Sequence, residues 1–446
     1  MNSVKEEDLR KKIIELVDEY YHSVHELKNV YHDGDRINYA GRVFDEKEME
    51  NLVNSSLDFW LTSGKYTSMF EHGLSKYLNV PFVSFVNSGS SANLCAFMAL
   101  TSPLLKERQI KRGDEVITVA CGFPTTISPI IQYGAIPVFV DVTIPEYNID
   151  VNLLEGALSD KTKAVMIAHT LGNPFDLTKV KEFCNKHNLW LVEDNCDALG
   201  SEYLYDGKWQ LTGTIGDIGT SSFYPPHHMT TGEGGAVYTK NPLLHKIIRS
   251  MRDWGRECMC PSGIDNMCGH RFDGQFGELP VGYDHKYVYS HFGYNLKATD
   301  LQAAIGVAQL DKINSFTEKR RHNFELLLSL LKDASIEDKV ILPYKSVDTN
   351  PSWFGFLITC KEGTDRKQVI KYLEDNNIQT RMLFAGNILR HPCFDSIRGD
   401  ESYYRVYGEL RNADIITSNT FWVGVYPGMT DEKIKYMANK IIEAVK

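Results

Sequence analysis

Val83-Ser84-Phe85-Val86-Asn87-Ser88-Gly89-Ser90-Ser91-Ala92-Asn93 reads as a short buried strand, a turn of small hydroxyl residues around one glycine, and the start of a helix. Backbone amides at such a helix start, backed by the helix dipole, bind a phosphate dianion through N–H groups that lack intrahelical partners. Gly89, Ser90 and Ser91 suit that role, with an ordinary helix cap as the other reading. Downstream, apolar strand candidates at 115–119, 136–140, 164–168 and 189–192 alternate with helix-patterned stretches at 153–158 and 177–187. That alternation predicts an α/β fold with a mainly parallel sheet flanked by helices.

The 446 residues, 43% hydrophobic and 24% charged, are enough to bury a full core and to divide into more than one unit. The expected units are an N-terminal helical segment (1–40), a large domain (41–310) and a smaller C-terminal α+β domain (311–446). A long helical pattern runs over 298–329, and a strand pattern over 354–359. Between 255 and 294 the alternation breaks into a Gly- and aromatic-rich stretch with three cysteines, too long for a plain connector, which predicts a functional insertion. A net charge of -10 without a basic block argues against nucleic acid or an anionic membrane as partner. The N-terminus lacks the apolar run of a signal peptide and no stretch approaches a membrane span, so the expected location is the cytoplasm. Nine cysteines in such a chain make a poor disulfide framework, and clustered ones suggest metal or redox chemistry.

Leu191-Val192-Glu193-Asp194-Asn195-Cys196-Asp197 puts Asp194 at the carboxyl end of a strand, where open α/β sheets bind ligands, unless it only caps a helix. Phe123, in Cys121-Gly122-Phe123-Pro124-Thr125-Thr126, follows another strand and either stacks on a ligand ring or joins the core. Ser222-Phe223-Tyr224-Pro225-Pro226-His227-His228-Met229-Thr230-Thr231 runs into Gly232-Glu233-Gly234-Gly235, whose glycines shape backbone. No lysine lies between Lys208 and Lys240. The loop therefore offers an imidazole, which moves protons, and no amine for a stable Schiff base. Cys258-Met259-Cys260 and Cys268 leave one and then seven residues between sulfurs, and 61 residues separate Cys196 from Cys258. Four thiolates suit a two-iron two-sulfur cluster or a zinc ion; free buried thiols are the plain alternative.

In this order and spacing the pieces resemble the sugar-modifying branch of the fold-type I pyridoxal phosphate enzymes, the DegT/DnrJ/EryC1/StrS family, over roughly residues 40–446. The resemblance implies Gly89, Ser90 and Ser222 on the cofactor phosphate, Phe123 on the ring face and Asp194 on the ring nitrogen, which a carboxylate keeps protonated. It further implies a homodimer in which Asn295, in Gly293-Tyr294-Asn295-Leu296-Lys297-Ala298-Thr299-Asp300-Leu301-Gln302-Ala303-Ala304, reaches the phosphate of the neighbouring subunit. The family's aminotransferases carry the Schiff-base lysine at the position of His227 and usually Gln at that of Asp197, which stands near the ring's oxygen.

Histidine in place of that lysine resembles the family's 3-dehydratases of nucleotide-linked 4-keto-6-deoxyhexoses. That implies pyridoxamine 5′-phosphate (PMP) held noncovalently, condensation of its amine with the C4 ketone, and His227 moving a proton at the cofactor's C4′ carbon while the C3 hydroxyl leaves. The cysteine pattern resembles the iron–sulfur branch of those dehydratases. It implies Cys196, Cys258, Cys260 and Cys268 on a 2Fe-2S cluster and a separate NADH-dependent flavin and iron–sulfur reductase. It also implies CDP-4-keto-6-deoxyglucose as substrate, in 3,6-dideoxyhexose and O-antigen synthesis. Tyr224, Arg381 and His391 are candidates around the sugar. The alternatives are a cluster-free dehydratase of the GDP-4-keto-6-deoxymannose type and a non-catalytic iron–sulfur or zinc protein on the same fold.

Overall fold

Runs rich in β-branched and aromatic residues form the strands β1 (Phe82–Val86), β2 (Glu115–Val119), β3 (Ile136–Val140), β4 (Thr162–Ala168), β5 (Trp190–Asp194), β6 (Glu202–Tyr205), β7 (Lys208–Leu211), β8 (Ile218–Ser222) and β9 (Gly235–Thr239). Later in the chain come β10 (Val340–Ile341), β11 (Thr349–Asn350), β12 (Gly355–Cys360), β13 (Thr380–Arg381), β14 (Arg405–Val406) and β15 (Thr420–Gly424). These elements belong to a computed structural model that describes residues 2–26, 31–267 and 269–446. Cys268 lies outside the described residues.

The large sheet has the order β1-β9-β8-β5-β4-β2-β3-β14, and within it β9 alone runs against the other strands. β2, β5, β8 and β9 are buried at every position, as expected for a mainly parallel sheet covered by helices on both faces. Successive side chains serve opposite faces. Ile117 packs with Val138, Val165 and Leu191 on one side, and Val116 with Met166, Val192 and Ile218 on the other. A second, antiparallel sheet of order β10-β12-β15-β13 packs around Phe356, Phe421 and Ile434 with the helices Ile313–Asp333, Arg366–Asp375 and Asp431–Val445. The two parts are stitched together: β11 pairs with β6, and β14 covers the free edge of β3, where Arg405 lies 2.8 Å from Glu115.

The helical pattern over 298–329 forms two helices, Asp300–Leu310 and Ile313–Asp333, instead of one. No glycine or proline marks the break. Tertiary bonds hold it: Gln309 Nε2 donates to the Val43 carbonyl and to Glu48, and Lys312 Nζ donates to Asp45 and Glu48. Among the described residues no helix is long and apolar enough to cross a membrane.

β5 places two neighbouring carboxylates on opposite faces. Glu193, with no exposed side-chain surface, accepts from the amides of Gly213 (2.7 Å), Ile215 (2.8 Å) and Gly216, and lies 2.9 Å from His169 Nε2. This fastens the turn that leads into β8. Glu193→Ala strands those amides in the core and should lower the unfolding free energy by about 3–5 kcal/mol in urea titrations. A change under about 1 kcal/mol would mean that the turn is held by other contacts.

Candidate active site

Three strand ends meet at the phosphate turn. Ser222 at the end of β8 pairs with Gly235 at the start of β9, which pairs with Val86 at the end of β1. Ser88 then caps the helix Gly89–Ala99, its Oγ accepting from the Ser91 amide at 3.0 Å. A Cβ on Gly89 would stand 2.3 Å from Ser222 Cβ, and one on Gly235 would stand 2.4 Å from the Ser88 carbonyl oxygen. Glycine at both positions lets β8 and β9 close against the helix start. The result is a cradle of backbone amides and hydroxyls at one wall of a cavity of about 770 Å³.

Asp194 lies on the floor of this cavity, at the carboxyl end of β5 and 3% exposed. Its Oδ2 accepts from Asn93 Nδ2 (2.8 Å) and Thr126 Oγ1 (2.7 Å), and its Oδ1 from the Cys196 amide (3.1 Å). Asn93 sits on the phosphate-turn helix and in turn accepts from Thr220 Oγ1 at 2.7 Å, so the carboxylate and the cradle are mutually fixed. Thr126 belongs to the helix Pro124–Tyr133 that Phe123 precedes. Phe123 is not core: 47% of it is exposed, it lines the cavity, and it meets Phe384 edge-on at 6.2 Å.

His227 stands in the cavity wall with 15% of its side chain exposed, its Nε2 3.2 Å from Asp197 Oδ1. The ring stacks on Phe354 (5.3 Å, 26°) and meets Tyr224 edge-on (6.2 Å). The buried Nδ1 has no hydrogen-bond partner. Burial holds the Asp197 carboxyl above the usual range, the imidazole opposite offsetting only part of the rise. Arg320 fixes the loop from behind, donating to the carbonyls of His227 and Trp353, each at 3.1 Å. Burial lowers its guanidinium to about 9, against the pull of Asp197. The second histidine of the pair, His228, is a buried structural group whose Nε2 donates to the Ser352 carbonyl at 2.7 Å.

Tyr224, Arg381 and His391 line the same cavity, as do Gly89, Ser90 and Ser222. Arg381 lies 4.1 Å from the Tyr39 ring, and His391 bonds the Ala385 carbonyl at 2.7 Å. Asn295, expected at the phosphate of a neighbouring subunit, is exposed outside this cavity, taking a bond from Lys297 Nζ at 2.9 Å. Cys258 and Cys260 line a second cavity of about 860 Å³, whereas Cys196 lines the first, its thiol raised well above the usual range by burial and by the neighbouring Asp194. Among the described residues no three His, Cys, Asp or Glu side chains are placed to hold a metal ion. Asn93, Thr126, Arg320 and Phe354 are the site residues that sequence reading did not single out. Asn93 and Thr126 lie inside the two quoted turns, a usable signal, while Arg320 has none.

A mainly parallel sheet with a glycine- and serine-rich helix start after its first strand and a buried carboxylate at the end of a central strand defines a protein of the pyridoxal-phosphate-dependent aminotransferase fold. The chain belongs to the DegT/DnrJ/EryC1/StrS aminotransferase family, whose pattern matches residues 43–442. It is 52% identical over 438 residues to the lipopolysaccharide biosynthesis protein RfbH of Salmonella typhimurium, covering 98% of each chain. It is 47% identical to the dTDP-4-dehydro-2,6-dideoxy-D-glucose 3-dehydratase of Saccharopolyspora spinosa, covering 95% of this chain and 90% of that one. The solved structure of E. coli GDP-4-keto-6-deoxy-D-mannose-3-dehydratase with bound hydrated PLP superposes with a TM-score of 0.78 at 27% identity, covering 92% and 99% of the two chains.

Burial drives the His228 imidazole well below its usual value, so it stays neutral when folded. An unfolded histidine protonates near pH 6.5, so the stability this site contributes is complete above that pH and is lost as the pH falls below it. Unfolding measured from pH 7.5 to 5 should show an acid loss of about 2 kcal/mol from this group. His228→Gln, which keeps a donor for Ser352, should flatten it; an unaltered acid limb would assign the loss elsewhere.

Proposed function

We propose that this chain is a PMP-dependent 3-dehydratase of a nucleotide-linked 4-keto-6-deoxyhexose. The carrying observation is His227, standing in the cavity wall against Asp197 at the position where the resemblance expects a Schiff-base lysine. No lysine lines that cavity among the described residues. The names of the S. spinosa and E. coli relatives support the reaction class, and differ in the nucleotide.

The cavity suits the B6 coenzyme. Amides of the Gly89 turn and the Ser222 hydroxyl would hold its phosphate, Asp194 would accept from the ring nitrogen, and Phe123 would cover the ring. Bound there, the amino form supplies an amine for the ketone and an electron sink. The protein's part is to orient and to move protons. Asn93 and Thr126 keep the Asp194 carboxylate aimed, Phe354 and Asp197 hold the His227 ring, and the imidazole carries a proton to and from the carbon bearing the amine. Apolar walls at Ile388, Phe394 and Trp422 thin out water around that step.

CDP-4-keto-6-deoxyglucose is the substrate this reading takes first, within O-antigen synthesis, a setting in keeping with the name of the Salmonella relative. The same reading includes a homodimer, a 2Fe-2S cluster and the NADH-dependent reductase that would feed it. Among the described residues, which leave out Cys268, Cys196 and the Cys258–Cys260 pair line different cavities and no metal-holding group is formed, which does not support a four-cysteine cluster. That same separation favours the second reading, a cluster-free enzyme of the GDP-sugar type.

Anaerobic incubation with PMP and CDP-, dTDP- or GDP-linked 4-keto-6-deoxyhexose, with and without a reductase, should give C3 deoxygenation for one nucleotide. Dependence on the reductase separates the two readings. His227→Asn should lower the rate by about 10²–10⁴-fold, and borohydride should trap a lysine adduct in His227→Lys but not in the native chain. An undiminished rate in His227→Asn would remove the histidine as proton carrier. A trapped lysine in the native chain would end the dehydratase reading.

A further inference from the structure

The helix Asn2–Val24 carries an apolar row that its own chain leaves uncovered. Leu9, Leu16 and Tyr20 are each more than half exposed and Ile13 more than a third, at spacings of four, three and four residues. That is the spacing of a coiled-coil seam over two heptads. A neighbouring face docks the helix on its own chain: Arg10 donates to Asp58 at 2.9 Å and to the Asn54 carbonyl at 3.1 Å, and Tyr21 donates to the Phe44 carbonyl at 3.2 Å. The row is therefore displayed on a helix that is already ordered, so a partner meets it without the cost of forming the helix.

The flank of the row says what fits it. Lys5, Lys12, Glu19 and, just past the end of the helix, Glu26 recur every seven residues along one side of the seam, and all four are exposed. Arg10, Lys11 and His22 have acidic partners at 2.7–3.9 Å, whereas among the described residues Lys5, Lys12 and Glu19 take part in no ion pair. Two positive charges followed by two negative ones are their own complement only when reversed. The four-three-four spacing of the row likewise reads the same from either end. A parallel copy would set Lys5 against Arg10 and leave Lys12 and Glu19 facing Val17 and Val24.

We propose that this face pairs with the same face of a second copy, helix against helix and antiparallel about a two-fold axis. Leu9 then packs on Tyr20 of the second copy and Ile13 on Leu16 of the second copy, and the axis makes each contact twice. Lys12 meets Glu19 of the second copy and Lys5 meets Glu26 of the second copy, again twice, so the charges fix both direction and register. None of these residues lines either of the two large cavities. The pairing therefore joins copies without completing a site, and it does not rest on the dehydratase reading.

The test mixes two full-length chains with different tags, one Leu9→Cys and one Tyr20→Cys, under mild oxidation, with the native chain as the blank for its own thiols. Antiparallel pairing sets position 9 against position 20 of the second copy and holds two copies of position 9 about 16 Å apart. A disulfide-linked mixed dimer is expected, with neither variant linking to itself above the blank. Self-linked variants would mean a parallel seam, and no linkage would mean no seam; either result overturns the proposal. In the same pair of chains, Lys12→Glu places like charges on both sides of the seam and should slow the mixed linkage about tenfold. Adding Glu19→Lys recreates the opposite-charge pairs with their signs exchanged and should restore the native rate; a double variant as slow as Lys12→Glu overturns the register. These positions are exposed, so each variant is expected to unfold at the native urea midpoint.

Discussion

The site depends on one strand end at which two acidic residues stand back to back. The pleat of β5 aims Glu193 into one face of the sheet and Asp194 into the other. Glu193 gathers three amides of the 213–216 turn and so sets where β8 begins. β8 then runs its five residues to Ser222, the hydroxyl beside the phosphate turn. Asp194 meanwhile ties the helix after β1 to the helix after β2 through Asn93 and Thr126. Both carboxylates are buried, and each would be costly to leave without donors. The helix start at Gly89 and the floor of the cavity at Asp194 are thus set by the same two residues.

The histidine loop obeys a different constraint. His227 keeps a carboxylate neighbour and an exposed edge, whereas His228 has neither, and the two neighbours are separated by their surroundings. Asp197 and the cavity face the first, while the Ser352 carbonyl and full burial take the second. A carboxylate beside His227, where the resemblance expects a neutral amide, gives the imidazole an acidic neighbour 3.2 Å away.

Much of this was legible in the sequence because parallel strands buried on both faces are unbroken apolar runs: 115–119 and 136–140 coincide with β2 and β3. The cavity positions of Asp194, Phe123 and Ser222 were legible because such sheets open their crevices at strand ends. Arg320 was not, since its bonds reach across 93 residues to a backbone carbonyl, which leaves no local pattern. The broken helix at 310–313 was missed for the same reason, its cause lying in Asp45 and Glu48 far upstream. Cysteine spacing records separation along the chain and is silent on which cavity each thiol faces, so the gulf between Cys196 and Cys258 emerged only with the fold.

Arg320 has a mechanical meaning as well. Its guanidinium grips the loop of His227, on the large sheet, and Trp353, at the entry to β12 of the small one, while Trp353 stacks face to face on Phe324 at 3.7 Å. One buried rivet therefore joins the two halves of the molecule directly behind the imidazole. A shift of the small sheet against the large one would therefore pull on the backbone of His227 itself.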